Sequence, residues 1–288
     1  MDQSSGFQHH LHDIQIDPLI TRALEEDWGY RDWTTDICVP ADKKAGARLI
    51  CKEEIMVAGS DVAAAVFRKV DPSLQINILA DNGRIVPAGT ELLHMTGSAR
   101  SLLKAERVAL NLMGRMCGIA SLAFEYVKVL EGTGARLLDT RKTTPGLRIL
   151  DKTATMIGGA RNHRFGLSDG AMIKENHIRA AGGITRAVEL LQESLPPTIK
   201  IEVETTNLEE VREALEAGAH IIMLDNMDKE SMTKAVQYVA GRALMEASGN
   251  VRLDNLREVA STGVDFVSTS SIITGARWSD LSLLFKED

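Results

Sequence analysis

The chain has 288 residues, 44% of them hydrophobic, and a formal net charge of −7. That suits one large or two ordinary globular domains. No apolar run is long enough to span a bilayer, and MDQSSGFQHHLHD at the start lacks a basic region followed by an apolar stretch. Neither a membrane span nor a signal peptide is expected, and the cytoplasm is. The acidic balance argues against nucleic acid as a partner. Cys38, Cys51 and Cys117 are scattered and outside CxxC spacing, as in a reducing compartment with neither disulfides nor a zinc site.

In chain order, the histidines of HHLH at 9–12 read as a terminus rather than a chelating site. A short helix is predicted from Asp17 to Glu26, with Asp17 as N-cap and Pro18 at the first helical position. WGYRDWTTD (28–36) reads as a polar turn. Strands are expected over 46–58 and 74–95, with a helix near 60–69, a hairpin-type turn at DNGR (81–84) and another turn at PAG (87–89). This part reads as a small α+β domain. Apolar residues at 102, 103, 109, 110, 113 and 116 give a helical period for 98–130. Gly114 and Gly118 are candidate interruptions, and Met113 and Met116 are core candidates.

From about 135 the pattern changes. Six short apolar runs each end in polar residues: ARLLDTRK (135–142), AMIKENH (171–177), IKIEVETT (199–206), HIIMLDN (220–226), ALMEASGN (243–250) and VDFVSTSS (264–271). Candidate helices at 147–160, 183–194, 207–217, 229–240 and 252–262 separate most of them, so the region reads as βα units in an open or incomplete barrel. Residues 278–288 read as a terminal segment that packs back on the first domain. In such folds the carboxyl ends of the strands surround one mouth. Asp139, Arg141, Lys142, Lys174, Glu202 or Glu204, Asp225 and Glu246 are expected to converge there. Between Asp139 and Lys174 seven basic residues face three acidic ones, +4 in a −7 protein. A locally basic pocket holds small anions without attracting polyanions everywhere.

The densest motif is DTRKTTPGLR (139–148). Arg141 offers a fork for carboxylate or phosphate, Lys142 a compact charge, and Thr140 a hydroxyl. In GGARNHRFGLSDGAMIKENH (158–177), His163, Arg164, Lys174 and His177 cluster within about twenty residues. Strand alternation puts Glu202 and Glu204 on one face, where they need a metal, hydroxyls or lysines as partners. EASGN (246–250) and STSSIITG (268–275) supply small residues for phosphate at the last two strand exits. GTGAR (132–136) lacks the preceding strand and third glycine of a dinucleotide site.

DTRKTTPGLR, RNHRFGLSDGAMIKENH, EVE, LDN and EASGN, in this order, resemble quinolinate phosphoribosyltransferase, of the type II phosphoribosyltransferases. ALEEDWGYRDWTTD and KAERVALNLM extend the resemblance over nearly the whole chain. It implies an N-terminal α/β sandwich domain (1–116), an incomplete, open α/β barrel (117–275) and a C-terminal segment (276–288). It also implies a homodimer with shared active sites, and decarboxylating phosphoribosyl transfer from phosphoribosyl pyrophosphate to quinolinate. Carried over by motif, Thr140, Arg141, His163, Arg164 and Lys174 would bind quinolinate, with Arg107 lent by the partner subunit. Lys142 and Lys174 would face phosphoribosyl pyrophosphate. Glu204 and Asp225 would hold Mg²⁺ and the ribose hydroxyls, and Ser248, Gly249 and Asn250 the 5′-phosphate. Ser270 and Ser271 stand where relatives commonly carry a Gly-Ala-Leu-Thr-His-like run; the histidine is missing, but a serine still offers phosphate its backbone amide and adds a hydroxyl. Three alternatives stay open: a molybdenum-locus paralogue with another acceptor, a Schiff-base aldolase using Lys174, and a non-catalytic anion-binding barrel.

Overall fold

The structure is a computed structural model that describes Leu11 and residues 13–286; the three histidines of the 9–12 run lie outside it. The described residues fall into two compact units, one within 1–124, 144–159 and 276–288, the other of 125–143 and 160–275. Packing thus divides the chain less linearly than 1–116, 117–275 and 276–288.

The first unit opens with α1 (Asp13–Trp28). Buried Ile16, Ile20 and Leu24 recur every four residues and define its inner stripe. The helix therefore begins before Asp17. Pro18 lies inside it, and Asp17 pairs with Lys69 at 2.8 Å instead of capping. The expected polar turn contains a helix, α2 (Trp33–Cys38), whose N-cap Asp32 accepts from the Thr35 N–H at 2.9 Å. Strand β1 (Lys44–Cys51), β2 (Ile55–Met56), α3 (Ser60–Val70), β3 (Gln75–Ile78), β4 (Ile85–Val86) and β5 (Glu91–Ser98) follow. DNGR does turn the chain, with Gly83 at φ +87°, but makes no hairpin. The strands on either side of it join different sheets: β3 pairs with β5, and β4 pairs with β2. Leu49, Cys51, Leu93 and Met95 of the larger sheet, together with Phe67 of α3, are wholly buried.

Helix α4 (Ala99–Leu130) runs unbroken for 32 residues. Gly114 and Gly118 do not interrupt it; they let backbone approach. A Cβ at Gly118 would fall 1.8 Å from the Arg277 carbonyl oxygen, and the Gly114 carbonyl accepts from the Ser279 N–H at 2.9 Å. Met113 and Met116 are buried as expected. Helix α5 (Arg148–Ile157) also belongs to this unit, where buried Asp151 takes a two-pronged bond from Arg115 at 2.7 and 2.8 Å. The same guanidinium donates to the Thr144 hydroxyl at 2.8 Å, fixing the end of the DTRKTT loop. The last strand, β12 (Leu281–Phe285), pairs antiparallel with β1, giving the sheet order β12-β1-β5-β3.

The second unit contains all six predicted barrel strands: β6 (Arg136–Leu138), β7 (Ala171–Ile173), β8 (Ile201–Thr205), β9 (Ile221–Asp225), β10 (Leu244–Ser248) and β11 (Phe266–Ser268). They form one parallel sheet in the order β6-β11-β10-β9-β8-β7. Among the described residues no ladder joins the edge strands β6 and β7, and on the outer side of β6 an isolated bridge pairs Leu138 with Arg161 of the loop before β7, so the barrel is open. The connecting helices are α6 (Glu175–Ala181), α7 (Ile184–Ser194), α8 (Leu208–Glu216), α9 (Lys229–Val239), α10 (Leu256–Ala260) and α11 (Ser271–Thr274). Three expected helices match to within one or two residues. The one expected at 252–262 is trimmed to 256–260, and α6 and α11 were not anticipated.

Candidate active site

A cavity of about 450 Å³ opens at the carboxyl ends of the strands. Every strand end contributes: Thr140, Arg141 and Lys142 beyond β6, Lys174 beyond β7, Glu204 of β8, Asp225 of β9, Ser248 of β10 and Ser268 of β11. His163, Arg164, Gly249 and Asn250 of the expected set also line it, together with Met172, Met223 and Asn226, which the sequence pattern does not single out. Asn226 could have been suspected, because Asn tolerates the left-handed conformation that a strand exit often needs.

Not every acid faces this mouth. Asp139 is fully buried and accepts from the His163 N–H at 2.8 Å. Glu202 and Glu246 are also buried, and line a second cavity of about 630 Å³ at the opposite edge, with the first residues of β9, β10 and β11. Alternation predicts the face of a side chain but not its depth. Glu202 sits two residues before Glu204, roughly 6–7 Å lower along the strand, in a different layer of side chains.

The mouth is strongly cationic. Arg164 donates Nη1 to the Gly170 carbonyl at 2.9 Å. Burial, and then the neighbouring Arg141 guanidinium, lower its pKa. The Arg141 Nε is buried and has no partner. Two guanidiniums that repel each other across one partly desolvated cavity call for an anion of matching charge. Lys174 Nζ pairs with Glu204 Oε2. His177 is not part of the site: its Nδ1 accepts from the Lys174 N–H at 3.0 Å.

His163 departs from expectation although it touches the mouth. Its Nδ1 accepts from the Arg164 N–H at 2.7 Å, and its Nε2 lies 3.2 Å from Glu202 Oε2 and 3.8 Å from Glu246 Oε2. Both ring nitrogens are engaged by protein.

The loop at the end of β10, with Asn226 beside it, is built on positive-φ backbone. Asn226 (φ 54°), Gly249 (φ 92°) and Asn250 (φ 51°) all lie in the left-handed region. Asn250 Nδ2 donates to Asn226 Oδ1 at 2.9 Å, and Asn226 Nδ2 to Asp225 Oδ2 at 3.0 Å. A Cβ at Gly249 would lie 2.4 Å from Asn226 Oδ1, so only glycine fits. Ser270 and Ser271 do not line the cavity. The Ser271 hydroxyl donates to the Val251 carbonyl at 3.2 Å, which occupies it locally. Arg107 is exposed on α4 in the first unit and is not among the lining residues. Glu204 and Asp225 offer oxygen donors at adjacent strand ends. That is a donor set suited to Mg²⁺, which takes one or two carboxylates and completes its shell with water and phosphate.

Comparison with known proteins agrees with this geometry. Residues 32–117 match the model of the quinolinate phosphoribosyl transferase N-terminal domain, and residues 119–284 that of its C-terminal domain. The chain is 48% identical over 273 residues to a probable nicotinate-nucleotide pyrophosphorylase [carboxylating] of Synechocystis sp., covering 94% of this chain and 92% of the relative. The crystal structure of NadC from Streptococcus pyogenes superposes with a TM-score of 0.92 at 36% identity, covering 96% of this chain and 99% of that one. The nicotinate-nucleotide pyrophosphorylase of Francisella tularensis gives 0.92 at 37% identity, over 98% and 100%. With both family domains matched in order and the open barrel in place, the chain belongs to the quinolinate phosphoribosyltransferase family.

Proposed function

We propose that this protein transfers the phosphoribosyl group of phosphoribosyl pyrophosphate to quinolinate, releasing pyrophosphate and CO₂ and leaving nicotinate mononucleotide, a step of de novo NAD synthesis. The observation that carries the acceptor assignment is the pair Arg141 and Arg164, like charges held together in the mouth. A 2,3-dicarboxylate satisfies both, with Lys174 and the Thr140 hydroxyl beside them. A monocarboxylate such as nicotinate leaves one cation unpaired, at a cost of about 2–5 kcal/mol.

The backbone at Ser248, Gly249 and Asn250 cradles the 5′-phosphate. The ring nitrogen of quinolinate then attacks the anomeric carbon as the bond to pyrophosphate breaks. Lys142 and Lys174 stabilise the departing charge, and Glu204 and Asp225 the oxocarbenium-like sugar. Mg²⁺, held by Glu204 and Asp225, would neutralise pyrophosphate charge. The pyridinium so formed accepts the electron pair of the C2–carboxylate bond, CO₂ leaves, and a proton replaces it on the ring. Aligning two polyanions is mainly a positioning task, worth about 7–11 kcal/mol. Arg107, exposed on its own subunit, completes the site of the neighbouring subunit in a homodimer. Cys38, Cys51 and Cys117 are unpaired, in keeping with work in a reducing cytosol.

The test is an assay with quinolinate, phosphoribosyl pyrophosphate and Mg²⁺, following nicotinate mononucleotide and CO₂ together, with nicotinate as control acceptor. Equal amounts of both products from quinolinate alone are expected. Turnover of nicotinate at a comparable rate, or binding of phosphoribosyl pyrophosphate without product, would overturn the assignment.

A further inference from the structure

Glu202, Glu246 and His163 make a cluster that the proposed reaction does not use directly. Glu202 is 5% and Glu246 1% exposed, and each has one buried carboxylate oxygen, Oε1, without a hydrogen-bond partner. One ligating atom from each of the three residues lies within 4.8 Å of the others. Burying two carboxylates this close is unfavourable, and apolar side chains of similar volume would pack there at less cost. A role in stability alone does not account for them.

The direction of the histidine does. Because Nδ1 accepts the Arg164 N–H at 2.7 Å, Nε2 is the ring nitrogen left to donate. Its proton points at Glu202 and Glu246. A metal ion at this cluster would need the lone pair of the same nitrogen, so the arrangement suits a hydrogen bond rather than coordination. The histidine's own N–H is tied to Asp139 at 2.8 Å, the following N–H to the ring at 2.7 Å, and the Arg164 side chain to Gly170 at 2.9 Å. The segment that delivers Arg164 to the mouth is therefore anchored through the imidazole, and the imidazole through the acids.

We infer that Glu202 and Glu246 are positioning residues which, acting through His163, hold the 163–164 segment so that the Arg164 guanidinium stands beside Arg141 to receive the acceptor's carboxylates. The inference rests on the function proposed above. It assigns the two acids to acceptor binding and not to phosphoribosyl binding or chemistry.

Three variants separate this from a structural role. Glu202→Leu removes the acceptor for Nε2–H, Glu202→Gln keeps one, and Glu246→Gln keeps shape without charge. Glu202→Leu is expected to raise KM for quinolinate at least ten-fold while KM for phosphoribosyl pyrophosphate stays within two-fold. Glu202→Gln should recover most of the loss, and Glu246→Gln should fall between. Equal movement of both KM values, a fall in kcat alone, or no rescue by glutamine would overturn it. A second readout needs neither turnover nor a variant that folds: the ¹⁵N spectrum of His163 in the parent protein at pH 7.5. A proton on Nε2 is expected, and a ring protonated on Nδ1 alone refutes the anchor. If the parent makes no product from quinolinate, the assignment of function fails while the tautomer still decides the anchor.

Discussion

Replacing Gly249 by alanine attacks the loop after β10 at its tightest point. The backbone there has φ +92°, where an L-residue costs roughly 1–2 kcal/mol. The new methyl would also lie 2.4 Å from Asn226 Oδ1. Asn226 cannot swing away freely, because it bonds Asn250 at 2.9 Å and Asp225 at 3.0 Å. Displacing it gives up two hydrogen bonds at about 0.5–1.5 kcal/mol each. The sum is about 2–5 kcal/mol. At ~2.1 cal/mol/K of unfolding entropy per residue, a chain of 288 residues would lose roughly 3–8 °C of Tm if it unfolds as one unit. If this backbone cradles the 5′-phosphate as proposed, KM for phosphoribosyl pyrophosphate rises as well. The assay is a double-mutant cycle with Asn226→Gly, which removes the obstacle at a position where glycine is unstrained. Scanning calorimetry should show a favourable coupling of about 1–3 kcal/mol, since on the Asn226→Gly background, where the two hydrogen bonds are already gone, Gly249→Ala adds only the backbone strain. Strict additivity, or a Gly249→Ala protein with the parent's Tm and KM, would refute the reasoning.

Arg141→Ala should lower kcat/KM for quinolinate by roughly 30- to 5,000-fold, the equivalent of about 2–5 kcal/mol. Its Tm should hold or rise, because a like charge beside Arg164 is gone; kinetics and unfolding on one preparation check both signs. Arg107→Ala and Arg141→Ala subunits, each inactive alone, should regain activity when mixed, and verified subunit exchange without recovery would exclude a shared site. Arg115→Met strands the fully buried Asp151 carboxylate and should cost about 3–5 kcal/mol in denaturant unfolding, with Arg115→Met/Asp151→Leu recovering much of it. Burial first, then Glu202, push the Glu246 carboxyl up to about 7, whereas an unfolded glutamate ionises near about 4.3. The folded state thus binds the extra proton between those values. This group's contribution to stability is full below them, falls as pH rises through the window and is level above it. The Tm advantage of Glu246→Gln over the parent should grow from pH 4.5 to pH 8; a constant difference would contradict the protonated acid.

Much of the barrel was legible because a parallel strand is a short apolar run with a polar exit, and six such runs at helix-length spacing leave few architectures. The cationic mouth followed from which residues stand at those exits. What the pattern could not supply was depth and direction. Glu202 and Glu204 share a face, yet a single period of the strand places one in the mouth and the other below it. His163 sits at the right place with its nitrogens turned away, because a ring's orientation depends on Arg164, Glu202 and Glu246 together. Local signals also misled in the first unit. Asp17 before Pro18 has the chemistry of a cap, but the buried stripe of Ile16, Ile20 and Leu24 carries the helix further back. DNGR has the chemistry of a hairpin, but the pairing partner of each flanking strand is set by distant residues. Ser270 and Ser271 have the strand-exit position, amides and hydroxyls of a phosphate site, and no local property of those two residues shows that they stand outside the cavity.

The antiparallel pairing of Leu281–Phe285 with Ala47–Cys51 has a consequence for biogenesis. The sheet that carries β1 lacks its edge until the 281–285 segment is available, and translation produces that segment after the whole of the barrel. The carbonyl contacts of Gly114 and Gly118 with residues 277–279 wait for the same event. The first unit therefore finishes last. On the ribosome β1 passes its whole synthesis interval as an open strand edge, the state in which β structure is most prone to pair with the wrong chain.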